Sequence, residues 1–152
     1  MLELIRFAAS QGIEIHASHL DEDVFGYWSP DEGRIYYDLK LTPNEARVTV
    51  AHELGHAYYG DRCDGDRADR RAEKYAAALL IDPEEYARLE ALDPEQNYLA
   101  DELGVTVDLI LFYEEHFLTR LGDVTYTRPR HGRAQMTLKR FVGNLRPEVS
   151  FG

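Results

Sequence analysis

The sequence predicts an α+β fold, a small antiparallel or mixed sheet packed on a helix bundle. Two observations carry that expectation. Short segments with strand-like alternation lie upstream of residue 42, and three segments downstream open on a capping residue followed by proline: Thr42-Pro43, Asp82-Pro83 and Asp93-Pro94. In order, residues 2–11 read as a short helix ending at Gly12, and Ile13-Glu14-Ile15-His16-Ala17 as a strand. Residues 24–28 and 34–41 read as a hairpin around Ser29-Pro30-Asp31-Glu32-Gly33, with Ile35, Tyr37, Leu39 and Leu41 on one face.

The next helix carries the chemistry. Thr42-Pro43-Asn44-Glu45 offers an N-cap threonine, a proline where no backbone N–H is missed, and a glutamate that completes a capping box. Gly60 gives a stop. Ala46, Val50, Leu54, Ala57 and Tyr58 form an apolar stripe between them. His52 and His56 fall nearly opposite that stripe, within Ala51-His52-Glu53-Leu54-Gly55-His56-Ala57, the H-E-x-x-H pattern of zinc-dependent hydrolases. Histidines four residues apart share a helix face, so His52 and His56 can meet at one metal ion, and Glu53 beside them can act as general base.

Such a site needs a third protein ligand and an open position for water. Residues 66–80 form a second helical segment on which Asp69 and Glu73 share a face with Ala76 and Leu80. A carboxylate on an apolar face is costly unless paired or bound to metal. Asp69 is the first choice as third ligand, with Glu73 orienting a metal-bound histidine; the reverse, Glu73 on the metal, stays open.

These residues resemble the ImmA/IrrE-type metallopeptidases, common in phages and mobile elements of bacteria. The resemblance rests on Leu41-Thr42, the motif from Ala51 to Ala57, Gly60-Asp61, Asp69-Arg70-Arg71-Ala72-Glu73, Ala76-Ala77 and Leu80-Ile81-Asp82-Pro83. Upstream, Gly26-Tyr27 and Arg34-Ile35-Tyr36-Tyr37 add to it, so that it spans roughly residues 12 to 113. It implies a zincin-like fold in which a strand beside the metal helix pairs with extended substrate, residues 34–40 being the candidate edge. One departure stands out. Members of the family usually have glutamate at the position of Asp69, and aspartate or asparagine at that of Glu73.

Composition bounds the rest. The chain has 152 residues and one cysteine, Cys63, so no intramolecular disulfide forms and a reducing compartment is expected. Neither a secretory signal nor a membrane-spanning segment is apparent, and the expected location is cytoplasmic. The expected organisation is a metallopeptidase domain over residues 1–122, then a basic extension over 123–152 with a possible hairpin pairing residues 124–127 with 135–138. Residues 120–152 hold seven basic and two acidic side chains, +5, against −11 for the whole chain, which leaves −16 for residues 1–119. That acidic body disfavours direct nucleic-acid binding.

Leu99-Ala100-Asp101-Glu102-Leu103-Gly104-Val105-Thr106 and the segment after it have the shape of a helix-turn-helix. The second helix, however, offers Asp108, Glu114 and Glu115 where a DNA reader needs Lys, Arg, Asn or Gln, so the pair reads as one that closes a core. His116, Tyr126 and His131 are candidates for stabilising an oxyanion; His16 and His19 read as surface residues. The function expected is a zinc metalloendopeptidase, with Zn2+ on His52, His56 and Asp69 and with Glu53 as base. The resemblance implies site-specific cleavage of a helix-turn-helix repressor or similar regulator. The alternative is a catalytically weak zincin-fold module that docks a regulatory protein partner.

Overall fold

The computed structural model describes residues 1–63, 65–121 and 124–126. The architecture is α+β, with a three-stranded mixed sheet among helices, and the chain divides into two units, the first Met1–Ala76 and the second starting at Ala77.

The first unit opens with α1 (Leu2–Ser10), then β1 (Glu14–Ser18), β2 (Gly26–Ser29) and β3 (Arg34–Asp38). The strand order is β1-β3-β2, with β1 parallel and β2 antiparallel to β3. The segment expected as the edge, residues 34–40, is therefore the centre of the sheet. Its outer side is taken by β1, a pairing partner that a hairpin pattern does not announce. The expected one-face set also stops short: Ile35 is fully buried, but Leu39 is 53% exposed. The strand ends because the Asp38 carboxylate accepts hydrogen bonds from the backbone N–H groups of Lys40 (2.7 Å) and Leu20 (3.1 Å), turning the chain before Leu39 can continue the alternation.

Helix α2 (Pro43–Tyr59) starts on the anticipated box: Glu45 N donates to Thr42 Oγ1 at 3.3 Å and Thr42 N donates to Glu45 Oε2 at 2.8 Å. It ends at Gly60, whose φ of 69° is the left-handed conformation that closes a helix cheaply only with glycine. Its stripe residues Ala46, Val50, Leu54 and Ala57 are buried, yet so are Ala51, Gly55 and His56. The helix is covered on more sides than a single stripe indicates. Gly55 shows one reason: a Cβ there would lie 2.7 Å from the Ala72 Cα of α3 (Asp66–Leu80), so the two helix backbones touch.

The second unit contains α4 (Pro83–Glu90), α5 (Gln96–Leu103), α6 (Val107–Phe117), β4 (Thr119–Leu121) and β5 (Val124–Tyr126). Asp82 caps α4 as expected, whereas α5 is capped by Glu95, whose carboxylate accepts from Tyr98 N at 3.0 Å. Helices α5 and α6 meet through the left-handed turn at Gly104 and bury Leu99, Ala100, Val105, Leu109, Ile110 and Tyr113, the core-closing pair read from the sequence. β5 pairs antiparallel with β4; the partner strand expected over residues 135–138 lies outside the described residues.

Candidate metal centre

The site is built on α2 and on the part of α3 that belongs to the first unit. On α2, His52 and His56 stand one turn apart and their Nε2 atoms face each other at 3.1 Å. From α3, Asp69 brings Oδ1 to 3.4 Å from His56 Nε2. One nitrogen from each histidine and one Asp69 oxygen all lie within 4.8 Å of one another.

Both imidazoles are fixed from behind. His52 Nδ1 donates to Glu73 Oε2 at 2.9 Å, and His56 Nδ1 donates to Asp61 Oδ2 at 3.1 Å, since a carboxylate can only accept. Each Nδ1 then holds the proton, and each Nε2 turns a lone pair inward. Two such nitrogens 3.1 Å apart with a carboxylate oxygen beside them repel unless positive charge sits among them. That donor set, two imidazole nitrogens and one carboxylate with a cleft alongside, fits a divalent metal of the zinc type. The same imbalance shows in the metal-free imidazole. Burial works against a charge on His52, but the Glu73 hydrogen bond and the negative charges of Glu53, Glu73 and Asp69 outweigh it and raise its pKa.

The cleft, about 440 Å³, is lined by His52, Glu53 and Glu73 on one side and by Val24, Phe25 and Gly26 on another, with Thr49 between. Gly26 is needed for that closeness, because a Cβ on it would lie 2.5 Å from Thr49 Cγ2 and 2.7 Å from the Tyr36 carbonyl. Asp38 N donates to the Phe25 carbonyl at 2.8 Å, so Phe25 faces β3 in the ladder. By the alternation of antiparallel pairing, the Gly26 N–H and C=O point to the other side, the outer edge of β2 beside the cleft, which pairs with no strand among the described residues. The strand next to the centre is β2 and not β3.

Other sequence candidates fall elsewhere. His16 bonds Glu14 at 3.0 Å on the surface, and Cys63 is exposed in the connection between α2 and α3. His116, in the second unit, has its Nδ1 2.9 Å from the Phe112 carbonyl; Tyr126 closes β5, and His131 lies outside the described residues. Sequence reasoning gave Asp61 no role. Its signals were its place directly after the glycine that ends the motif helix and its part in the family resemblance.

Comparison with known proteins bears on the same residues. No curated protein matches the sequence. Among solved structures, a Mycobacterium tuberculosis transcriptional regulator has a similar fold, with a TM-score of 0.63 at 16% identity. The similarity covers 88% of this chain but 42% of that one, so the chain spans about two fifths of the regulator's length. The peptidase M78 family model, described as the IrrE N-terminal-like domain, matches residues 8–112, a span that includes both helices of the centre. The chain belongs to that family and carries its metallopeptidase-like domain.

Proposed function

We propose that this protein is a zinc-dependent metalloendopeptidase that cuts a transcriptional repressor or similar regulator at a single site. The observation that carries the proposal is the convergence of His52, His56 and Asp69 within 4.8 Å, with Glu53 on the wall of the adjoining cleft. Family membership supports a metal-dependent peptidase, and the regulator with a similar fold is in keeping with a role in transcriptional control.

In this reading His52, His56 and Asp69 hold the zinc, and Glu73 orients His52. When bound, the zinc supplies Lewis acidity, which activates water and polarises a carbonyl at neutral pH. Glu53 takes the proton of the attacking water and passes it to the leaving amine. An extended substrate segment pairs with the outward N–H and C=O of Gly26, which lays its backbone along the cleft. Phe25, 65% exposed, offers an apolar contact for a side chain of that segment.

One observation favours a weaker, docking role: the Asp69 side chain is 48% exposed, so its oxygen is held less firmly than a buried ligand. Incubating zinc-loaded protein with the regulators encoded beside it, followed by intact-mass spectrometry, separates the two readings. Cleavage gives one new pair of fragments, absent with Glu53→Ala. A regulator that co-elutes uncut with wild type and with Glu53→Ala alike would identify a docking module.

A further inference from the structure

We infer that Asp61 and Arg71 are positioning residues for the metal centre, acting through His56; the inference rests on the metal-site reading above. Asp61 spends both oxygens. Oδ2 accepts from His56 Nδ1 at 3.1 Å, and Oδ1 accepts from Arg71 Nη2 at 2.7 Å. Its side chain is 12% exposed and that of His56 6%, so this hydrogen bond is shielded from water, whereas Arg71 keeps 43% exposure.

The local fold explains why Asp61 arrives there. The left-handed turn at Gly60 reverses the chain, and Asp61 N donates back to the His56 carbonyl at 2.9 Å, so Asp61 is tied to His56 by backbone and side chain together. Arg71 reaches the outer face of the carboxylate from α3, with its guanidinium 4.8 Å from the centre of the Tyr59 ring at the end of α2. The guanidinium fixes which way the carboxylate points, and the carboxylate fixes the tautomer and plane of the imidazole. Asp69, Arg71 and Glu73 occupy one stretch of α3: the first approaches the metal side of His56, the last the back of His52, and the middle one secures His56 through Asp61. A shielded carboxylate with no partner but a histidine would also carry an uncompensated charge. Arg71 supplies the counter-charge.

The test is zinc affinity of the full chain, measured by competition with a chromophoric chelator, for wild type and for Asp61→Ala, Asp61→Asn, Arg71→Ala and the Asp61→Ala/Arg71→Ala double variant. Visible spectra of the cobalt-substituted proteins and melting of the metal-free forms are recorded alongside. Asp61→Ala should bind zinc about 10- to 100-fold more weakly, the usual cost of losing such an orienting partner, and should shift the cobalt bands. Asp61→Asn, which keeps an acceptor oxygen, should recover part of the loss, and the double variant should be no worse than Asp61→Ala. Wild-type affinity and an unshifted cobalt spectrum in Asp61→Ala would overturn the inference while leaving the metal site standing. So would losses in Asp61→Ala and Arg71→Ala that add in the double variant and follow the melting of the metal-free proteins. A wild type that binds no zinc would overturn both readings together.

Discussion

Glu53 and Glu73 line the same cleft, and the proposed mechanism gives them different work. Glu73 spends an oxygen on His52 Nδ1, and Glu53, next in sequence to a histidine whose Nε2 points at the centre, is the base in the proposed mechanism. Glu53→Ala should therefore keep the metal and lose cleavage by about 10²- to 10⁴-fold, as removal of a general base does, read as turnover of a cleaved regulator against zinc content. His52 and His56 were legible because four-residue spacing converts directly into a shared helix face, and Glu53 because it completes the H-E-x-x-H pattern. Asp69 and Glu73 were legible as a pair because both lie on one face of the next helix. Asp61 was not, since its approach to His56 depends on the reversal at Gly60 and on Arg71 arriving from α3.

Elements bring these side chains together through close backbone approach. A Cβ added at Gly55 would lie 2.7, 3.0 and 3.1 Å from the Cα, carbonyl oxygen and Cβ of Ala72. Adding a methyl there gains about 1 kcal/mol of helix propensity. Overpacking costs about 1–3 kcal/mol, and here the obstacle is backbone that cannot turn aside, so the penalty wins. Gly55→Ala should lower stability and weaken zinc binding together, as read by urea unfolding and by chelator competition. The start of α2 behaves differently. Thr42→Ala should cost about 1 kcal/mol at neutral pH with no change in the centre. The hydrogen bonds from the Thr42 backbone and hydroxyl hold the Glu45 pKa below its ordinary value. The contribution of the box is then present above the unfolded-chain value of about 4.3 and fades as pH falls through the depressed folded value, so the Thr42→Ala penalty should shrink in acid. The cap, the stop and the helical pair could be read from sequence, because caps and periodicity are local. The sheet order could not: that β1 pairs parallel with β3, leaving β2 at the cleft, depends on contacts between segments some twenty residues apart.

For the whole molecule, sequence reasoning reached the α+β class and the family, while the division at Ala77 has no local signature because α3 runs through it as one helix. Among the described residues no helix is long and apolar enough to cross a membrane. A metal bound only by the folded form stabilises it by mass action, by about 4 kcal/mol at a thousandfold excess over Kd. Zinc should thus raise the melting temperature of wild type and of Glu53→Ala, a chelator should reverse the gain, and His56→Ala should show no response.

The most direct measurement is zinc content by elemental mass spectrometry of protein purified under metal-replete conditions, for wild type, Glu53→Ala, His56→Ala, Asp69→Ala and Glu73→Ala. The expected result is about one zinc per chain in wild type and Glu53→Ala, none in His56→Ala or Asp69→Ala, and weakened retention in Glu73→Ala. Zinc-free wild type would contradict the metallopeptidase reading, and full occupancy in Asp69→Ala with loss in Glu73→Ala would contradict the choice of third ligand.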